Sequence, residues 1–386
     1  MTAGQDWTRA SSDRSDRTVA HVSSFPPSPS GVALYAAVFD QVLAGFGSVE
    51  RVVAPADPRE SQSLRSALRG LVVGLGPRLR EADVVHVELS GRALYQFYLA
   101  LGLTIGRRRS LLAITCHDTP SLVGWTLLFT GLDRRPFRRV AQLASSGVGH
   151  QLENRLLSRC DVTVALTEEG AIALGRRAPT AVSLPHVVGR VPQLTKEPRV
   201  FVPGYVSDPD VVASIADVVA RRAHVEGVRW RIVVGSTDEH TRSEIERRLT
   251  PEGREVTDFA GHQSEEDLLA EFARAFIVVR PVGAARGNSL AASGPLGWAA
   301  SRGCLCLTDD ARSGARELAD HALVIRSSSL SEDVSALLDR WPDHAGVLAR
   351  AASAQALLGV EAVSERYGAV LQDADQRRVG ESSAPV

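Results

Sequence analysis

No stretch of this 386-residue chain stays apolar for long. A membrane-spanning helix needs about 20 such residues in a row, so no span is expected. Neither sign of charge is in excess: 44 Lys and Arg stand against 45 Asp and Glu. That balance argues against nucleic-acid binding driven by overall charge and leaves only local basic patches to consider. Cysteine is scarce. Cys116, Cys160, Cys304 and Cys306 make no CxxC pair, and no His/Cys group has zinc-like spacing, so no metal site is expected. Cys304 and Cys306 would leave one strand on the same face, a poor geometry for a disulfide. Reduced, buried thiols in a cytoplasmic protein are the expectation. The opening "MTAGQDWTRASSDRSDR" lacks the apolar core of a secretory signal. Its polar composition predicts a disordered tail over 1–17. Lysine is rare beside arginine, and Ala and Val are abundant, a composition that suggests a high-GC bacterial source.

What is present is an ordinary globular balance, with 44% hydrophobic and 23% charged residues. The length exceeds one ordinary core and predicts two domains. From Thr18 onward short apolar runs alternate with helical periods. "TVAHVSSF", "VERVVAPA", "DVVHVEL", "SLLAITCHD", "DVTVALT" and "TAVSLPH" read as strands, with helical segments between them. The polar, proline-containing "VGRVPQLTKEPR" reads as a linker. The alternation then restarts with "VFVPGYV", "VRWRIVVGS", "EVTDFAG", "AFIVVRPV", "CLCLTDD" and "ALVIRS". Strand–helix alternation indicates βαβ units on a parallel sheet, so the fold class is α/β with two Rossmann-like, doubly wound domains. The expected division is 18–188, 189–342, a last helix over 343–371 packing back toward the first domain, and a loose tail over 372–386.

Ligands in such sheets bind beyond the carboxyl ends of the strands, and two such edges would face each other across a cleft. The loops there hold the candidates. Gly31 follows "FPPSPS" at a helix start, where free amides suit an anion or a sugar hydroxyl; a capped Pro/Ser turn explains the same residues. His117 and Asp118 end "ITCHD" and could bond a substrate hydroxyl or move a proton, or simply hold a loop. Glu88 ends "VVHVE" and could face the same place or cap a helix. The segment 125–139 sets Trp125, Leu127, Leu128 and Phe129 before Arg134, Arg135, Arg138 and Arg139. It reads either as a peripheral membrane contact or as a solvated basic helix. Gly204, Gly235 and Gly261 end strands and allow close backbone approach, as they would in plain turns. In "VRPVGAARGNSLAASGPLGWAASRG", Ser293-Gly294-Pro295 marks a helix start. Arg280 and Arg286 lie near it, so a phosphate site is readable there, against a Gly/Ser loop with two solvated arginines.

The order of these elements resembles a retaining glycosyltransferase of the two-Rossmann-domain (GT-B) type, close to family 4, over about residues 19–371. "SPSGVALY", "DVVHVE", "ITCHD", "LLSRCDVTVALTEEGAIAL", "FVPGY", "RWRIVVGS", "VTDFAGHQSEEDLLAEFARAFIVVRP" and "SRGCLCLTDDARSGARELADHALVI" carry the likeness. The resemblance implies transfer of a sugar from a nucleotide-diphosphate sugar to a glycan, lipid-linked or small-molecule acceptor. No resident cofactor, metal or protein nucleophile is implied. Arg280 and Arg286 would serve the leaving diphosphate, and His117 with Asp118 the sugar. The backbone of Gly204, Gly235, Gly261, Gly287, Asn288, Ser289, Ser293 and Gly294 would line the donor, and Gly31 would lie near the acceptor. The chain departs from the family where Asn288 follows Gly287 in place of a glutamate, where Trp298 takes a second glutamate position, and where acidic "VSDPDV" replaces an Arg and a Lys. Those departures keep a silent glycan- or partner-binding protein as an alternative. A sugar-nucleotide epimerase of the same architecture is a third.

Overall fold

Strands and helices alternate along the chain as the sequence predicts. The computed structural model describes residues 17–382 apart from 27, 29–30, 56–62, 92, 107, 124–134, 191–194, 205, 207, 227, 236–237, 262 and 283–289. The expected tail over 1–17, except Arg17, and most of the 125–139 segment therefore lie outside the described residues. The chain divides into two units, 1–185 with 363–386, and 186–362.

The first unit holds six parallel strands, β1 (Thr18–Ser23), β2 (Ser48–Val53), β3 (Val84–Leu89), β4 (Leu111–Cys116), β5 (Val162–Ala165) and β6 (Ala181–Ser183). Their order is β2-β1-β3-β4-β5-β6. β3, β4 and β5 are buried along their whole length. Strands covered on both faces read as continuous apolar runs, which is why "LLAITC" shows no alternation. The chain moves outward from β1 to β2 and then returns to the other side of β1. The gap between the ends of β1 and β3 is therefore this sheet's switch point, the position where such folds take ligands.

The second unit repeats the plan with β7 (Glu197–Val202), β8 (Arg231–Gly235), β9 (Thr257–Gly261), β10 (Ala275–Arg280), β11 (Leu305–Thr308) and β12 (Ile325–Arg326). The order β12-β11-β10-β7-β8-β9 puts the switch point between β7 and β10. Its core joins Val200, Ile232, Val234, Ile277, Val279 and Leu307 to Trp230, Phe276 and Trp341. All four cysteines are buried free thiols.

The expected single helix over 343–371 is two, His344–Leu358 and Val360–Ser382, parted at Gly359. The second continues through most of the segment expected to be loose. Leu371 and Ala374 are buried, Arg377 donates to the carbonyl of Asp161, and Arg378 donates to those of Arg108 and Arg109. The polar outer face of this helix hid those anchors from a composition reading.

Candidate functional site

In the first unit the register of the strands assembles a polar cluster. His21 of β1 pairs with His86 of β3, and Glu88 pairs with Thr115 of β4. Residues two apart share a face, so His21, His86, Glu88 and Thr115 all project to one side. His117 follows β4, and its amide still bonds the carbonyl of Leu89. Glu88 is fully buried. Its Oε2 lies 2.6 Å from His117 Nε2, and its Oε1 lies 3.0 Å from His86 Nε2 and 3.4 Å from His21 Nε2.

Burial alone would raise the Glu88 pKa, but the hydrogen bonds from His117, His21 and His86 hold it well below the carboxylate range. An ionised carboxylate only accepts, so each of these ring nitrogens is a donor. His21 also donates through Nδ1 to Asp40, at 2.5 Å. With carboxylates at both nitrogens, its pKa is raised even against the burial that would lower it. His86 is held below its ordinary value, first by burial. It stays neutral and accepts at Nδ1 from the Tyr367 hydroxyl, 2.6 Å away. Arg51 in turn pairs with Asp40.

The charges close: two carboxylates face one arginine and one imidazolium. Ligand atoms of His21, His86 and Glu88 lie within 4.8 Å of one another, a spacing that a divalent ion could bridge. Hydrogen bonds and charge balance already hold the group together.

The effect at the strand end is on His117. Glu88 fixes Nε2 as its protonated nitrogen, which leaves Nδ1 as an acceptor in the neutral ring. Asp118 does not pair with His117; it accepts from the amide of Gly91. Gly31 begins the helix Gly31–Leu43, with open space where a side chain would stand.

In the second unit the glycines fall at adjacent strand ends. Gly235 is in register with Gly261, and Gly204 follows β7. Gly204 and Gly261 have φ of 78° and 64°, left-handed values that favour glycine, and no described residue lies within 4 Å of where a β-carbon would stand. Gly235 is more enclosed, facing Gln263 and Phe201.

Across the switch point, Arg280 ends β10. Its guanidinium is largely buried, and Nε has no hydrogen-bond partner among the described residues. Burial, and then the like charge of Arg312, lower its pKa. Arg312 is already matched, clasping the buried Asp310 through Nε at 2.8 Å and a terminal nitrogen at 2.6 Å. Asp310 also favours the charge on Arg280, which itself makes no ion pair among the described residues. Ser293 caps the helix Gly294–Ser301, yet its side chain makes no capping bond, and its buried Oγ has no partner among the described residues. The free first-turn amides and this hydroxyl sit at the positive end of the helix. His186 reaches the same turn, with Nε2 3.1 Å from where a β-carbon on Gly294 would be. Arg286, Gly287, Asn288 and Ser289 lie outside the described residues.

Sequence reasoning missed His21, Asp40, Tyr367, Asp310 and His186. The alternation His86-x-Glu88 in "VHVE" was a usable sign, since it sets two polar groups on one buried face. The partners on distant elements had no local sign.

No protein-family profile and no curated protein matches the chain. Solved structures do. A glycosyltransferase involved in avilamycin A biosynthesis, AviGT4, superposes with a TM-score of 0.56 at 16% identity, covering 95% of this chain and 99% of its own. An alpha,alpha-trehalose 6-phosphate synthase from Burkholderia multivorans gives 0.56 at 13%, covering 96% and 99%. A UDP-N-acetylglucosamine 2-epimerase gives 0.57 at 10%, covering 97% and 99%. At these identities the likeness shows a shared fold, the two-domain GT-B architecture, and it runs the length of the chain.

Proposed function

We propose that this protein is a nucleotide-sugar-dependent glycosyltransferase that acts with retention on a glycan, lipid-linked or small-molecule acceptor. The observation that carries this is Arg280, largely buried at the end of β10 with its Nε unpartnered among the described residues, in the unit where Ser293 begins a helix without a side-chain capping bond. A buried guanidinium short of hydrogen-bond partners is costly, and a bound anion relieves the cost. The leaving diphosphate would take that place. Arg280, the Ser293 hydroxyl and the amides of the first turn would stabilise the charge that develops on it. Gly204 and Gly261, open over their α-carbons, would admit the nucleotide. His117 would accept a sugar hydroxyl at Nδ1. Asp118 would act through the Gly91 turn. Gly31 would lie toward the acceptor. Arg286 and the 287–289 backbone complete the proposed donor loop. The reading calls for no resident cofactor.

One solved neighbour is named for a UDP-sugar, so uridine is the first base to test. Titration calorimetry with UDP, GDP and ADP should show micromolar binding of one of them, and Arg280→Ala should weaken it about tenfold or more. Equal affinity in wild type and variant would remove Arg280 from the site. A second reading, a silent binding protein, is favoured by the acidic segment after β7. There the Asp208 side chain accepts from the amides of Asp210 and Val211, where the family carries bases. No binding of any nucleotide by folded protein would select it. Altered sugar stereochemistry without an acceptor would select an epimerase.

A further inference from the structure

In the first unit the helix Leu64–Leu75 is turned inside out. Its buried residues are Ser66, Ala67, Gly70 and Gly74. They let it sit against the helix Leu94–Leu103 so closely that a β-carbon on Gly70 would lie 2.2 Å from the carbonyl oxygen of Tyr95. Its large apolar side chains point the other way. Leu64 is 76% exposed, Leu68 56%, Val72 67% and Leu75 44%. At about 100° per residue these four fall within roughly 80° of arc, a continuous stripe. Single exposed leucines need no explanation, but a stripe of four on one helix does. Ile105, also exposed, follows the helix packed against Gly74.

The charges beside the stripe identify what it meets. From Leu64 to Arg80 there is no acidic residue and there are four arginines. Arg78 pairs with Glu50, and Arg80 donates to the carbonyls of Gly102 and Ile105. Arg65 and Arg69 are exposed and pair with no carboxylate among the described residues. They flank the stripe on one side, about 60–100° from its centre. Leucines on one face with exposed arginines at its border fit an interface that is apolar below and anionic above. No helix of the described residues is long and apolar enough to cross a membrane, so the arrangement is one that lies on a bilayer.

We propose that the outer face of Leu64–Leu75 docks on an anionic lipid surface, with Leu64, Leu68, Val72 and Leu75 entering the acyl boundary and Arg65 and Arg69 against the headgroups. This does not depend on the nucleotide reading, and it concerns a different segment from 125–139. The test is co-sedimentation of the full chain with phosphatidylcholine vesicles, with and without phosphatidylglycerol, at low and high salt. The protein should bind the anionic vesicles, more weakly in salt. Leu68→Asp with Val72→Asp should lower binding roughly tenfold or more while the melting temperature and circular dichroism stay unchanged. Arg65→Gln and Arg69→Gln should each cost about fivefold on anionic vesicles alone. Absence of wild-type binding would overturn the proposal, as would undiminished binding of the double aspartate variant. So would a dimer in sedimentation equilibrium that the same variant dissociates, which would assign the face to a second copy of the chain.

Discussion

Arg280 holds a largely buried charge with no ion-pair partner among the described residues, and stability and binding should respond to its removal in opposite directions. Arg280→Met keeps the stem and removes the charge. The apoprotein should melt no lower than wild type, and higher by the equivalent of about 1 kcal/mol, because the desolvation of a buried charge is gone. UDP affinity should fall at the same time. Differential scanning fluorimetry with and without nucleotide reads both; a lower apo melting temperature would mean that Arg280 is structurally paired. The Glu88 cluster makes a separate statement in pH. His21 is raised, so its contribution is complete below the ordinary imidazole value of about 6.5 and is lost as pH rises through its higher folded value. His86 and Glu88 are lowered, so theirs are lost as pH falls, His86 from about 6.5 and Glu88 from about 4.5 downward. Urea unfolding followed across pH should show stability declining on both sides of about 6.5, and Asp40→Asn should flatten the alkaline side. An alkaline side unchanged by that substitution would remove the His21–Asp40 contact as its cause. Arg280 and Ser293 were legible in the sequence because a strand end, a serine and a proline mark the place locally. The Glu88 cluster was not, because His21, His86 and Tyr367 meet only through strand register and a helix 281 residues away in the chain.

The elements themselves were largely legible, and for a physical reason. Strands buried on both faces, such as "LLAITC" and "AFIVV", have to be continuous apolar runs, and capped helices between them have to alternate with them. The helix Leu64–Leu75 shows what such a pattern leaves out. Its period predicts a helix, but not which face goes in. Glycines at 70 and 74 decide that, by allowing backbone contact on the small face. Ala is normally the better helix former by about 1 kcal/mol, yet Gly70→Ala should destabilise by about 1–3 kcal/mol, because the β-carbon meets a backbone oxygen that cannot give way locally. Gly147→Ala, in the helix Arg135–Leu157 with nothing within 4 Å, should gain stability instead. Urea denaturation of the two variants gives the contrast directly, and equal effects would refute the packing account.

At the scale of the whole chain, the two units differ in how they are written. The second is one continuous stretch, 186–362, with its own sheet and core. Expressed alone, it should fold cooperatively and, on the proposed reading, bind the same nucleotide as the full chain. Residues 1–185 alone lack Tyr367, Leu371 and Ala374, all buried in the intact protein. That fragment should be far less stable, by an amount comparable to losing a buried aromatic, about 3–5 kcal/mol. Matched denaturation curves for the fragment and the full chain would disprove it. The last helix, Val360–Ser382, therefore sets an order of events during synthesis. The amino-terminal unit leaves the ribosome first but lacks a piece of its core until residues 363–382 emerge. The unit made second has everything it needs earlier, so the half translated first is the half finished last.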